Sequence, residues 1–194
     1  MSSIKTQAAL LQLRSVFAVL AADVEEAMAY GRSTPTGFAR RSLFRTYFVQ
    51  IEGLTTQFRR AAEAIASERT TLLTAEDRVL LPDQKAYLNV RGVARKLESF
   101  QSTLPAILFS MRCFGKAHGL AFEPELGGVG YASLKKFVKL RNSLTHPKSA
   151  SDLALSDEQA AFALEAATAA GDALVQESFT VEFEPRGCVR PAPG

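Results

Sequence analysis

Apolar residues recur at alternating steps of three and four along most of the 194-residue chain, which is the period of an amphipathic α-helix. The first stripe predicts a helix over Ile4–Tyr30, stopped by Gly31, and contains Leu10, Leu13, Phe17, Leu20, Val24 and Ala27. The second predicts a long helix that begins at Thr36–Phe38 and runs to Ser67, with Phe44, Phe48, Ile51, Leu54 or Thr55, Phe58, Ala62 and Ile65.

Two weaker helical segments follow this long pair. Thr74, with two acidic residues behind it, is typical of a helix N-cap and predicts a short helix that stops before Pro82. The stretch Gln84–Gln101 is also predicted to hold a helical piece, which Gly92 interrupts. We find no convincing hairpin pattern in the chain, and only Phe179–Phe183 alternates like a strand.

Caps mark the starts of two later helices. Ser102 or Thr103 is expected to cap a helix that ends at Gly119 and carries the stripe Ile107, Leu108, Met111 and Phe114. Ser156 and Gln159 have the spacing of a capping box, which predicts a last helix over Asp157–Ser178. The prolines and glycines of Phe179–Gly194 predict an extended or disordered tail.

Between these two helices, a third is expected after the loop Leu120–Gly130. It begins at Tyr131, and its apolar positions are Leu134, Phe137, Val138 and Leu144. Pro147 disfavours helical geometry at the residue before it, so this helix should end or distort at His146. The chain is thus predicted to fold as an all-α bundle of about five main helices, with one helical domain over residues 1–178 and a tail over 179–194.

Composition narrows the function classes. The chain has 2 Cys and 2 His, which excludes a disulfide scaffold and a four-thiolate zinc site. Cys113 and His118 have no further ligands nearby, so we expect no metal and no cofactor. The chain has no run of about 18 apolar residues, which argues against a membrane partner. Ser15–Ala22 faintly resembles a signal peptide, but the first stripe runs straight through it, and we expect a cytoplasmic protein.

The net charge of +3 is too mild to indicate a nucleic-acid partner, but one segment is strongly basic. Residues 126–151 contain no acid and five cations, which are Lys135, Lys136, Lys139, Arg141 and Lys148. Such a run attracts phosphate, although most charge runs are simply a solvated helix face. The same segment contains Arg141, Asn142 and His146, which offer a two-pronged phosphate ligand, a polar positioning group and a proton carrier near neutral pH.

Arg141, Asn142 and His146 in an all-α chain resemble the signature of the HEPN superfamily, in which four to six residues separate an Arg from a His and a polar residue often follows the Arg directly; here the spacing is the shortest of that range. The resemblance implies a helical bundle, usually a two-fold homodimer, and often a metal-independent endoribonuclease of toxin–antitoxin, phage-defence or RNA-processing systems. Some members are non-catalytic binding modules. An acidic residue on an earlier helix often joins the site, and Glu52 is our candidate for that role; otherwise it is a partly solvated carboxylate on the flank of a helix.

Three functions stay open on the sequence alone. The first is RNA cleavage by the ribose 2′-hydroxyl, with His146 as general acid or base, Arg141 stabilising the transition state and Asn142 orienting the reacting groups. The lysines 135, 136, 139 and 148 would bind the RNA backbone, and a homodimer would supply a second His146. The second is a non-catalytic RNA-binding, nucleotide-binding or protein-interaction module, such as half of a toxin–antitoxin pair. The third is a helical bundle in which the motif occurs by chance.

Overall fold

The computed structural model describes residues 4–82, 84–98, 102–120, 126–156 and 158–159. These residues form five α-helices, α1 (Ile4–Ser33), α2 (Gly37–Glu68), α3 (Ala75–Leu80), α4 (Thr103–Ala117) and α5 (Val129–Thr145). Two short antiparallel strands, β1 (Gln84–Leu88) and β2 (Ala94–Glu98), lie between α3 and α4, and a 3-10 helix (Ala150–Leu153) follows α5. The predicted all-α bundle is confirmed.

Helices α1 and α2 form a long antiparallel pair. Thr36 caps α2 by accepting a hydrogen bond from the Ala39 N–H at 3.2 Å, so the chain reverses within three residues. The end of α1 contacts the first part of α2, and the start of α1 contacts the end of α2. Near the turn, the Tyr47 hydroxyl lies 3.4 Å from the Met28 sulfur, and at the far end Thr6 donates to Glu68.

The predicted stripe of α1 is the side that packs against α2, with Leu13 and Val24 buried. By length and composition alone, α1 is long and apolar enough to cross a membrane. Core helices of soluble proteins and N-terminal signal sequences meet the same criterion, so this property assigns no compartment.

The core between α2, α4 and α5 is aromatic at its centre. Phe137 of α5 is 1% exposed, and its ring centroid lies 4.6 Å from that of Phe44 and 5.8 Å from that of Phe48. The stripe predicted for α2 is buried over its whole length, and Ile107 of α4 and Leu134 and Leu144 of α5 complete this cluster. Burial of Leu134, Phe137 and Leu144 fixes which side of α5 faces the core.

The prediction of a helical piece over Gln84–Gln101 is wrong, because β1 and β2 form a hairpin there. Asn89 and Gly92 explain the difference. The Asn89 side-chain oxygen accepts from the N–H groups of Arg91 and Val93, both at 3.0 Å, and Gly92 adopts φ +71°, which glycine tolerates best. These local bonds hold the backbone in a tight reversal and end any helix.

The predicted stop at Gly31 is wrong, because α1 runs through it to Ser33, but other predicted boundaries agree closely with the structure. The Thr74 cap is confirmed as a capping box with Asp77, and α4 ends just before Gly119, which has φ +81°. Ser102 occupies the N-cap position of α4, but its side chain makes no capping hydrogen bond. Helix α5 begins two residues earlier than predicted and ends before His146 as expected.

The capping box that opens the last predicted helix is present: Ser156 N–H donates to Gln159 Oε1 and Gln159 N–H donates to Ser156 Oγ, both at 3.1 Å. The rest of that helix, residues 121–125 of the predicted loop before α5 and the predicted tail over 179–194 lie outside the described residues.

Candidate functional site

Helix α5 presents two different sides, and the motif residues are divided between them. Leu134, Phe137 and Leu144 face the core, and Arg141 continues that same row, seven residues after Leu134. Lys135, Lys139 and Asn142 lie on the adjacent side, which borders an open cleft. Because each residue of an α-helix turns about 100°, Arg141 and Asn142 face different surroundings although they are adjacent in sequence.

Arg141 is held against α2. Its guanidinium donates from Nη2 to Glu52 Oε1 at 3.1 Å, and its Cζ lies 4.5 Å from the centroid of the Phe48 ring. Nη1 lies 3.3 Å from the Asn142 side-chain oxygen. The ion pair is partly exposed, with side-chain exposures of 24% for Arg141 and 47% for Glu52. Salt bridge, ring and amide together leave the guanidinium little freedom to change direction.

His146 is exposed and stands just beyond the last helical residue of α5. Its N–H still donates to the Asn142 carbonyl at 2.9 Å, while its own φ of −126° and ψ of 62° are no longer helical. His146 has thus left the α region, which Pro147 disfavours for the residue before it, although its ψ is below the range of about 120–160° that is typical of that position.

The segment after His146 is fixed by Asp152. The Asp152 carboxylate accepts from the N–H groups of Lys148 at 2.7 Å and Ser149 at 2.9 Å, and these bonds lower the pKa of the carboxyl group. Arg41 of α2 also donates to the Leu153 carbonyl at 3.1 Å. The loop that carries His146 is therefore tied at its far end to the bundle.

An open cleft of about 850 Å³ lies between α5, the start of α4 and this segment. Its lining combines cations and neutral polar groups with two apolar residues and one acid; the residues are Leu104, Lys135, Val138, Lys139, Asn142, Ser143, His146, Lys148 and Asp152. Asp152 is the single acid among them, and its carboxylate already accepts two backbone N–H groups. The cleft can thus take an anionic ligand with an apolar portion.

Of the residues proposed from the sequence, Lys135, Lys139, Lys148, Asn142 and His146 are brought together in the cleft. Lys136 and Arg141 do not line it. Within the part of the chain that the structure describes, no hydrogen bond joins Arg141 to His146. Asn142 connects the two places, because it contacts Arg141 and also lines the cleft.

Sequence reasoning missed Asp152 and the ring of Phe48 beneath Arg141. The first was detectable, because Ser149 and Asp152 have the spacing of a capping box, and that box is present. Phe48 was predicted only as a core position of α2, so its contact with Arg141 was not anticipated. Glu52 was the candidate for an acidic residue that joins the motif from an earlier helix, and its carboxylate contacts Arg141.

Cys113 and His118 lie away from this cleft, near the end of α4. Burial raises the pKa of the Cys113 thiol to about 12, which makes the reactive thiolate scarce. Burial, with a smaller effect from Arg69, lowers the pKa of His118 to about 4. Among the described residues, no group of three or more His, Cys, Asp and Glu side chains is placed to hold a metal ion.

Comparison with protein-family models, with curated proteins and with solved structures finds no match to this chain. The similarity to the HEPN signature therefore rests on Arg141, Asn142 and His146 and on the helical architecture around them.

Proposed function

We propose that the chain is an endoribonuclease of the HEPN type that needs no metal ion and uses the α5 cleft to bind the RNA backbone. The observation that carries the proposal is that His146 lines a cleft that is also lined by Lys135, Lys139 and Lys148. Imidazole exchanges protons near neutral pH, and the three ammonium groups attract phosphate. Proton transfer beside a bound phosphodiester is the chemistry of RNA transesterification.

In the proposed reaction, the ribose 2′-oxygen attacks the adjacent phosphorus and the bond from phosphorus to the 5′-oxygen breaks. One group accepts the 2′-hydroxyl proton and another donates a proton to the leaving 5′-oxygen. His146 performs one of these transfers. Asn142 orients the phosphate or the imidazole. Arg141 does not line the cleft, so the phosphodiester must lie next to Asn142, whose side chain contacts the guanidinium, for Arg141 to offset the negative charge that develops on the non-bridging phosphate oxygens.

A homodimer would supply the second proton carrier. Each chain has two histidines, and His118 does not line the cleft. A two-fold axis beside the end of α5 would place two copies of His146 and Arg141 around one phosphate. The exposed position of His146 is compatible with such a shared site. A cytoplasmic toxin paired with an antitoxin is the biological setting that we propose for this activity.

The test is a cleavage assay on a panel of single-stranded and hairpin RNAs in EDTA. The wild-type chain should yield 2′,3′-cyclic phosphate and 5′-hydroxyl ends. His146→Ala should remove cleavage while light scattering and circular dichroism show an unchanged dimer and fold. Undiminished cleavage by His146→Ala would refute the assignment, and a monomer that cleaves would refute the shared site.

A matched pair of lysine variants tests the cleft itself. Lys139 lines the cleft, whereas Lys136 lies on the same helix but outside it. Loss of one phosphate contact should lower the salt slope of RNA affinity by about 0.7 for a single strand. Lys139→Gln should show that change and Lys136→Gln should not. Equal effects would indicate a diffuse attraction rather than a site.

A second candidate function has its own support in the pairing of Arg141 with Glu52. That contact neutralises the guanidinium within one chain, as expected of a group with a structural role. The chain would then be a non-catalytic RNA-binding or nucleotide-binding module, or a partner for another protein. RNA binding that depends on Lys139, without cleavage of any RNA in the panel, would favour this alternative.

A further inference from the structure

From Tyr87 to Leu97, every residue of the β1–β2 hairpin except Asn89 is exposed. Its large apolar side chains are largely open to solvent, with exposures of 105% for Val90, 71% for Leu88, 58% for Leu97 and 50% for Tyr87. An isolated two-stranded hairpin is marginally stable, and it usually gains stability by packing one face. This hairpin instead presents its side chains outward, which is typical of a contact element.

The tip of the hairpin is nevertheless well defined. Asn89 N–H donates to the Val93 carbonyl at 3.1 Å, and Gly92 N–H donates to the Asn89 carbonyl at 2.9 Å. The Asn89 side chain accepts two further backbone N–H groups, from Arg91 and Val93. A preorganised tip loses less conformational entropy when it binds a partner.

Cations lie on both faces of the hairpin and at its tip. Arg95 pairs with Tyr87 and Lys96 with Ala86 in the strand register, so these adjacent cations point to opposite faces. Arg91 lies in the turn. All three side chains are exposed, and none of them makes a hydrogen bond or an ion pair with another described residue. Their charges are therefore available to a ligand.

The charge pattern selects the class of partner. The hairpin Gln84–Glu98 contains four cations, which are Lys85, Arg91, Arg95 and Lys96, and one acidic residue, Glu98, at its open end. A protein that packs on one face of a hairpin would leave the cations of the other face unused. A polyanionic strand can contact both faces, and an unstacked base can stack on an exposed Tyr87 ring.

The hairpin also lies within reach of the cleft. Leu104, which lines the cleft, follows Glu98 at the end of β2 by six positions. A chain of six residues spans at most about 22 Å, so the base of the hairpin is no farther than that from Leu104. One RNA strand of a few nucleotides can contact both places.

We propose that the β1–β2 hairpin is a second RNA-binding surface, an arm that holds single-stranded RNA whose phosphodiester lies in the α5 cleft. The inference takes RNA as the ligand from the proposed function. Arg91, Arg95 and Lys96 contact phosphates, and Tyr87 stacks on a base.

The experiment measures equilibrium binding of a 2′-O-methyl RNA oligonucleotide, which has no 2′-hydroxyl to attack, by the full chain at several salt concentrations. Arg95→Gln/Lys96→Gln should lower the salt slope by about 1.4, because two phosphate contacts are lost. Arg32→Gln/Arg60→Gln removes the same charge from exposed positions on α1 and α2 and should leave the slope nearly unchanged. An unchanged slope for the hairpin variant would overturn the proposal and leave Leu88 and Val90 as a contact for a protein.

Tyr87 gives a second test that does not depend on charge. Tyr87→Ala should weaken RNA binding by about tenfold, whereas Tyr87→Phe keeps the ring and should bind as the wild type does. Equal affinity of the alanine variant and the wild type would exclude stacking. The oligonucleotide cannot be cleaved, so binding is measured separately from catalysis. Hairpin-dependent binding by a chain that cleaves no RNA in the panel would support the arm and favour the non-catalytic alternative. A wild-type chain that binds no RNA would overturn both the arm and the nuclease.

Discussion

Arg141 and Glu52 are 89 residues apart in the chain, and their side chains meet at 3.1 Å across α5 and α2. The guanidinium also covers the Phe48 ring, so it is oriented from two directions by the same helix. Glu52 is thus placed to act on the motif through Arg141 rather than by contact with a ligand in the cleft. This makes it a candidate positioning residue for the proposed reaction.

We expect Glu52→Ala to lower kcat for RNA cleavage by about tenfold, with little change in KM, because the Arg141 guanidinium loses its orienting carboxylate. Unfolding free energy should change by less than about 1 kcal/mol, since partly exposed ion pairs contribute little. Glu52→Gln retains an oxygen that accepts from Arg141 and should keep most of the activity. Steady-state kinetics and denaturant unfolding measure both quantities.

A double variant checks that Glu52 acts through Arg141. If the two residues act as one unit, Glu52→Ala/Arg141→Ala should be no slower than Arg141→Ala alone. Losses that simply multiply would show that Glu52 acts by another route.

Much of this arrangement follows from helical period alone. The apolar stripe of α5 places Phe137 inward, and Arg141 four residues later must then lie on nearly the same side. His146 had to leave the helix because Pro147 follows it. The sequence could not, however, assign Glu52 to Arg141, because that pairing depends on how α2 and α5 pack and not on any local pattern.

The β1–β2 hairpin is the element that the sequence pattern predicted wrongly. Its strands contain residues such as Lys96 and Leu97 that also suit a helix, so local propensity did not distinguish the two structures. The deciding interactions were the Asn89 side-chain bonds and the positive φ of Gly92, which lie in the turn. A prediction that depends mainly on the spacing of apolar residues gives too little weight to such turn residues.

The close approach of α1 to α2 at Gly53 provides a test of the packing. A Cβ at Gly53 would lie 2.6 Å from Leu20 Cδ1, so Gly53→Ala requires the leucine or the helix to move. We expect a loss of about 1–2 kcal/mol in unfolding free energy, because overpacking outweighs the better helix propensity of alanine. Gly31, which is in α1, has open space around it, and Gly31→Ala should stabilise the fold by about 0.5–1 kcal/mol. Equal stabilisation by both variants, in chemical denaturation, would contradict this packing.

Asp152 provides a test of the loop that carries His146. Asp152→Ala removes the acceptor for the Lys148 and Ser149 N–H groups and should lower the free energy of unfolding, as the loss of a helix cap does. Hydrogen exchange of those two amides should accelerate, while amides in the centre of α2 keep their protection. Asp152→Asn retains an oxygen acceptor and should behave closer to the wild type. Unchanged exchange at Lys148 in the alanine variant would show that other contacts fix the loop.

The buried His118 should make the fold sensitive to mild acid. Its pKa is lowered from 6.5 to about 4 in the folded chain, so between these values the unfolded chain binds a proton that the folded chain does not. Stability is therefore complete above about pH 6.5 and is lost as the pH falls toward 4, by about 2 kcal/mol between pH 7 and pH 5. His118→Phe removes the titrating group and keeps a ring against Phe114, whose centroid lies 4.6 Å away. Urea unfolding at both pH values should show a smaller pH dependence for this variant, and an identical dependence in both proteins would assign the acid sensitivity elsewhere.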